Sequence, residues 1–336
     1  MYDAAILLIN ENKGVFMKGF RFFSLLLTCF LAMIFVACDN GTTSGIIEKG
    51  QITYVEAKPN KGFNYGYYYY IPGNVTDAKY LLVEPNNTGD VSDDIRFHDE
   101  RALGTILRQR PWAEELGVAL LVPVFPRPRT NGQMYTQALD RDTLMNKTGT
   151  MARIDLQLIQ MIDDFRAMCK RWDISLASKV LLNGFSGSGS FVNRFTAIHP
   201  ERVQAVVSGG NSAMPIIPIA TLGGESLIYP VGISDLDVIT ARPFNLASYK
   251  TVPQFIFYGD ADPGDQLPYP DAFSEEERQL VTRVIGANKW TRLEAAKKAH
   301  TVIGSNAIFK IYPGVGHGYT QEINQDILTF FRSNIR

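Results

Sequence analysis

The run GFSGSGSF at residues 184–191 sets Ser186 and Ser188 among glycines, directly after the apolar segment KVLLN. A hydroxyl held on a glycine-rich turn between a strand and a helix suits attack on an acyl carbon, provided a base and an acid can be brought to it. Two other uses of such a turn fail. A phosphate-cradling loop needs Lys and then Ser or Thr after its second glycine, but Ser190 and Phe191 follow Gly189, and Val192 stands where a dinucleotide fingerprint has its third glycine. A nucleophile on a tight elbow needs small residues two before and two after it. Around Ser186 these are Gly184 and Ser188; around Ser188 they would be Ser186 and Ser190, which pushes the site into the helix. Ser186 is therefore the expected nucleophile, with Ser188 a packing residue and Ser190 an early-helix hydroxyl. Gly187, opening the helix, would offer its N–H to a developing oxyanion.

The acid and the base should follow in that order, each at the end of a later strand. After PQFIFY comes GDADPGD, and after IFKIY comes PGVGHGY. The acid is Asp262 or Asp260. Asp262, three residues past Gly259, lies further out on its loop and is preferred; Asp260 is the reserve. Of the four histidines, His317 sits among Gly314, Gly316 and Gly318, which suits an accessible imidazole. His98, His199 and His300 read as structural or solvent-facing. No two of the histidines have metal-ligand spacing, so no metal is expected, and acyl transfer by serine needs no cofactor.

The elements that must position these groups follow from the hydrophobic pattern. Strand-like runs occur at 51–57, 65–72, 79–85, 117–125, 179–185, 203–209, 253–259 and 307–313, and the later ones are nearly continuous apolar stretches, as in parallel strands covered on both faces. Between them lie helical patterns. Ile154, Leu158, Met161, Ile162, Phe165, Cys169 and Trp172 recur at spacings of three and four, which marks one buried stripe. Ser274 and Glu277 have capping-box spacing, and the segment from Thr320 has the same apolar period. Two early hairpin-prone strands followed by alternating strands and helices predict a single α/β domain over 51–336 with a mostly parallel eight-stranded sheet and helices on both faces. Residues 211–250, with four prolines and no long period, read as an excursion over the strand ends, a lid or pocket wall.

The bulk numbers set limits on the partners. The 33 basic and 34 acidic side chains leave a formal charge of −1, with no electrostatic footprint for nucleic acid. From Met17 the sequence has a basic start at Lys18 and Arg21, an apolar stretch from Phe22 to Ala37, and then Cys38. That is a secretory signal shape, too short for the ~20 apolar residues of a spanning helix. Residues 1–16 are expected to precede the true start. The FVAC run resembles a bacterial lipobox, although Phe35 stands where Leu is commonest. It implies removal of 1–37, a lipid on Cys38, a polar tether over 38–50, and export to the bacterial cell envelope on a membrane anchor. Cys169 is then the sole cysteine of the mature chain, placed on the apolar stripe as a small buried hydrophobe.

Taken together, NGFSGSGSFVNRFTAIHPERVQAVVSGG, YGDADP and YPGVGHGY resemble the α/β-hydrolase superfamily over roughly residues 51–336. The closer likeness is to its secreted esterase branch, which includes polyhydroxyalkanoate depolymerases and feruloyl esterases. The resemblance implies a Ser186–His317–Asp262 triad acting on a small or polymeric ester, with a serine peptidase as the variant within enzymes. A catalytically silent binder on the same fold is the alternative from another class. The chain departs from the pattern in one place. Many members carry His-Gly after the third strand, where this sequence reads LLVEPNNTGD. The resemblance implies a second oxyanion donor there, the backbone amide of Asn86 or Asn87.

Overall fold

The computed structural model describes residues 48–75, 78–211 and 213–335. Cys38, the expected signal segment and most of the tether lie outside these residues. In chain order the elements are β1 (Ile52–Val55), β2 (Tyr67–Tyr70), β3 (Leu81–Val83), α1 (Ile95–Leu116), β4 (Ala119–Pro123), α2 (Arg141–Met145), α3 (Ile154–Lys170), β5 (Val180–Phe185), α4 (Gly187–Ile198) and β6 (Val203–Gly209). They continue with β7 (Thr221–Leu222), β8 (Glu225–Ser226), α5 (Leu236–Thr240), α6 (Leu246–Tyr249), β9 (Gln254–Gly259), α7 (Glu275–Val284), α8 (Lys289–Ile303), β10 (Ala307–Tyr312) and α9 (Gln321–Asn334).

Eight strands form one sheet in the order β1-β2-β4-β3-β5-β6-β9-β10. The β1–β2 and β2–β4 pairs are antiparallel and the remaining pairs are parallel. Each of the eight strand-like runs in the sequence supplies one of these strands. Strand alternation divides the core in two. Val83, Leu121, Leu182 and Val206 pack on one face with Leu158 and Phe165 of α3 and Phe191 and Phe195 of α4. Leu82, Leu120, Leu181 and Val207 point to the other face, against Ala102 and Ile106 of α1 and Ile323, Ile327 and Phe331 of α9. Both faces of β5 are thus covered, which is why KVLLN carries no polar alternation. Each fully buried Leu or Phe contributes roughly 1.5–3 kcal/mol, so the elbow leaves from a buried strand in the middle of the sheet.

Local signals act where the sequence places them. Ser274 and Glu277 complete a reciprocal capping box at the start of α7. Cys169 lies fully buried on α3, and burial pushes its thiol up to about 12, so it stays protonated and inert. Residues 211–250 hold the short β7–β8 hairpin, α5 and α6. Their Ile217, Leu227 and Val231 join Leu267 and Phe273 and the α7 and α8 side chains Leu280, Val281 and Ala296 in a third apolar cluster.

Candidate active site

The chain turns sharply between β5 and α4. Ser186 occupies φ 61°, ψ −123°, a conformation that side chains other than glycine rarely adopt and that costs of order 1–3 kcal/mol. The surroundings hold it there: its N–H donates to Gly209 O at 2.9 Å and its carbonyl accepts the Ser190 N–H at 3.0 Å. The flanking positions have no spare room. A Cβ on Gly184 would stand 2.2 Å from Ser188 O, and one on Gly189 would stand 2.5 Å from Gly209 O. Ser188 is buried, and its hydroxyl donates to Phe185 O and accepts the Phe185 N–H, both at 3.0 Å. Ser188 therefore knits the turn, while Ser186 is partly exposed at its tip.

The loops after β9 and β10 meet beside this turn. Ala261 N–H donates to Val315 O at 3.0 Å and Asp260 N–H to Tyr312 O at 3.1 Å, so the two loops are stitched together. A hydrogen bond of 2.8 Å joins His317 Nδ1 to Asp262 Oδ2. With Nδ1 donating, Nε2 carries the free lone pair, the tautomer a general base needs. The other Asp262 oxygen accepts the Gly264 N–H at 2.7 Å, which fixes the carboxylate plane. Asp260 is exposed, and its carboxylate accepts the Gly314 N–H at 2.6 Å. Asp260 braces the histidine loop; Asp262 bonds the imidazole.

His317 packs on Phe185, the residue before Ser186, with 4.7 Å between ring centroids. Its Cε1 also lies 3.4 Å from where a Cβ on Gly210 would stand, next to the carbonyl that holds Ser186. The structure thus brings His317 and Asp262 together beside the elbow. It does not join Ser186 Oγ to the imidazole by a hydrogen bond, a link that in unliganded enzymes often forms only when substrate binds. Exposure separates His317 from its rivals. His199 also bonds an aspartate, Asp155, at 2.8 Å, but both side chains are 0% exposed, whereas the His317 side chain is 41% exposed. Burial alone would raise the Asp155 carboxyl, yet hydrogen bonds from Arg153 and His199 hold it at about 2, as in a structural ion cluster. His98 and His300 are buried as well.

The loop after β3 closes the site on another side. Asn86 is buried, and its side chain pairs with the Phe125 backbone in both directions at 2.9 Å. Asn87 is partly exposed; its Nδ2 donates to Phe185 O at 3.2 Å, and its Oδ1 lies 3.2 Å from where a Cβ on Gly187 would stand. Both candidate donor residues therefore lie on a loop pinned to neighbouring backbone, and Asn87 is the one against the elbow.

Comparison with solved structures places this architecture. Poly(aspartic acid) hydrolase-1 from Sphingomonas sp. KT-1 superposes with a TM-score of 0.57 at 18% identity, over 84% of this chain and 98% of that one. LpqC, a poly(3-hydroxybutyrate) depolymerase from Bordetella parapertussis, gives 0.56 at 16%, over 84% and 89%. An S-formylglutathione hydrolase from Agrobacterium tumefaciens gives 0.51 at 13%, over 85% and 95%. The chain has the α/β-hydrolase fold. Neither a protein-family profile nor a curated protein matches its sequence.

Within this α/β-hydrolase fold, several residues that hold the site escape sequence reasoning. Lys289, at the start of α8, donates to Asp262 O at 2.6 Å and Gly264 O at 2.9 Å, clamping the acid loop. Fully buried Arg292 bonds Asp265 at 2.5 Å on the same loop. Tyr135 lies under the Arg127 guanidinium, 3.7 Å from its ring centroid, with its hydroxyl 2.4 Å from where a Cβ on Gly187 would stand. These are long-range contacts. The only hint of them in the sequence is a cation or aromatic in an otherwise ordinary loop or helix. Among the described residues, no group of three or more His, Cys, Asp or Glu side chains could hold a metal ion.

Proposed function

We propose that the chain is a serine hydrolase that cleaves carboxylic esters by two-step acyl transfer. His317 takes the Ser186 proton as Oγ attacks the acyl carbon, and Asp262 stabilises the resulting imidazolium. The imidazolium then protonates the leaving alcohol, and a water activated by the same imidazole releases the acid. Gly187 N–H, with an amide of the Asn86–Asn87 loop, receives the oxyanion. The observation that carries this reading is the Asp262–His317 hydrogen bond, set against a strained serine at a strand-to-helix turn. The hydrolase names of the structural neighbours support it. An ester is preferred to an amide because its leaving group is better.

A fluorophosphonate probe tests the reading directly. It is expected to label the protein once, on the peptide carrying Ser186, and to abolish turnover of a short-chain p-nitrophenyl ester. A folded protein that takes no label and turns over no ester favours a ligand-binding role for the same fold instead. The setting we propose is an exported protein with a lipid on Cys38. In bacteria fed an alkynyl fatty acid, the wild type should incorporate the label and Cys38→Ser should not; equal incorporation would remove the anchor.

A further inference from the structure

Beneath the elbow lies a pocket of about 130 Å³, lined by Glu84, Asn87, Arg108, Gln109, Ser188 and Tyr319 among others. Glu84, the residue after β3, is a buried carboxylate. Asn183 Nδ2 of β5 donates to one of its oxygens at 2.6 Å, and Gln109 Nε2 of α1 to the other at 3.1 Å. Tyr319, on the histidine loop, lines the same pocket and packs on Phe185, with 4.9 Å between ring centroids. Glu84, Asn183 and Tyr319 each stand a short step along the chain from a group of the proposed site. Glu84 is three residues before Asn87, Asn183 three before Ser186, and Tyr319 two after His317.

We propose that Glu84 is a positioning residue: its ionised carboxylate ties the start of the oxyanion loop to the strand that carries the nucleophile turn and to α1, beneath the site. This inference rests on the serine-hydrolase reading and deepens it. A glutamine or leucine would fill the same space without the desolvation that an ionisable carboxyl suffers there. The charged or titratable groups facing Glu84 are Arg108 of α1 and Tyr319; β5 presents the neutral Asn183. Among the described residues no basic side chain forms an ion pair with it, and the two amides carry the negative charge by hydrogen bonding.

The chemistry of the clamp sets its pH dependence. Burial raises the Glu84 carboxyl to about 7, against the opposing pull of Asn183, Gln109 and Arg108. A protonated carboxyl would set its O–H against one of two N–H donors, so acidification through the neutral range loosens one tie. The proposal predicts a step in the wild-type kcat/KM on the acid side, a fall of about 10- to 100-fold as Glu84 takes up its proton. Glu84→Gln mimics the protonated form. It is expected to lower kcat by about 10- to 100-fold with KM within about twofold, and to lack that step. Stability gives an independent readout. Between the unperturbed 4.5 and about 7, the folded state keeps a proton that the unfolded chain has released. The stabilising contribution is therefore full at acid pH and lost as pH rises through 7. The melting temperature of the wild type should drop from pH 5 to pH 8 relative to Glu84→Gln.

Gln109→Met provides a second variant should the first not fold. Removing a donor to the ionised form should move the upper acid-side step to higher pH. Equal kcat, the same acid-side step and parallel melting curves for wild type and Glu84→Gln would overturn the proposal, as would an unshifted step in Gln109→Met. Those results leave the serine-hydrolase reading standing. A wild type that takes no fluorophosphonate sinks that reading, whatever Glu84 does.

Discussion

Ser186→Ala is expected to lower kcat on a short-chain p-nitrophenyl ester by about 10⁶, the scale on which a serine hydrolase loses its nucleophile. Ser188→Ala should stay within about tenfold, the cost of one ordinary hydrogen bond near the site. The two hydroxyls sit two positions apart in the chain but in different environments. Ser188 spends its hydroxyl on the Phe185 backbone and is buried. Ser186 stands at positive φ on the turn, next to the N-terminus of α4, with its backbone rather than its hydroxyl held in place. Alanine tolerates that φ no worse than serine does, so Ser186→Ala should melt within a few degrees of the wild type. Steady-state kinetics with a circular-dichroism melt decide the matter. A Ser186→Ala protein that keeps most of its turnover would remove Ser186 from the chemistry.

The readability of this molecule from its sequence follows contact distance along the chain. The strands of the central sheet announce themselves because sheet burial on both faces leaves unbroken apolar runs such as VLL and FIFY. The elbow is legible because the demand for small residues falls on Gly184 and Ser188, two positions either side of Ser186, and the exclusion at Gly184 comes from Ser188 O within the same turn. Of the two acids the loop after β9 offers, Asp262, further out, bonds His317, while Asp260 bonds the Gly314 amide. Glu84, Asn183, Gln109 and Tyr319 were not legible. They come from the loop after β3, from β5, from α1 and from the last loop, and no local period relates them. The β7–β8 hairpin was hidden for a different reason: two-residue strands are too short to show alternation. The remaining three histidines illustrate the limit of local reading. Each looked plain in sequence, and each is buried against a partner supplied from outside its own turn of chain or at a helix end.

Asp262→Asn is expected to lower kcat/KM by about 10⁴, while Asp260→Asn stays within about tenfold. Asparagine at 262 keeps the size of the side chain, and its Oδ1 can still accept the Gly264 N–H that now fixes the carboxylate. Its amide NH₂ would then face His317 Nδ1 and, as a donor, would hold the imidazole in the tautomer that places the proton on Nε2. That ring cannot accept a proton from Ser186, so the loss falls on kcat and on the rate of fluorophosphonate labelling, with little change in substrate affinity. The neighbouring cation sharpens the test. Lys289 Nζ lies 4.0 Å from Asp262 Oδ2 while bonding two backbone carbonyls of the same loop. Neutralising the carboxylate leaves that lysine anchored, so the loop should keep its shape and the defect should be one of charge and tautomer. Asp260 makes its bond to the Gly314 amide from an exposed position, and asparagine can make the same bond. Equal losses in the two variants would mean that the stitched loops act only as a scaffold, with no acid directed at His317.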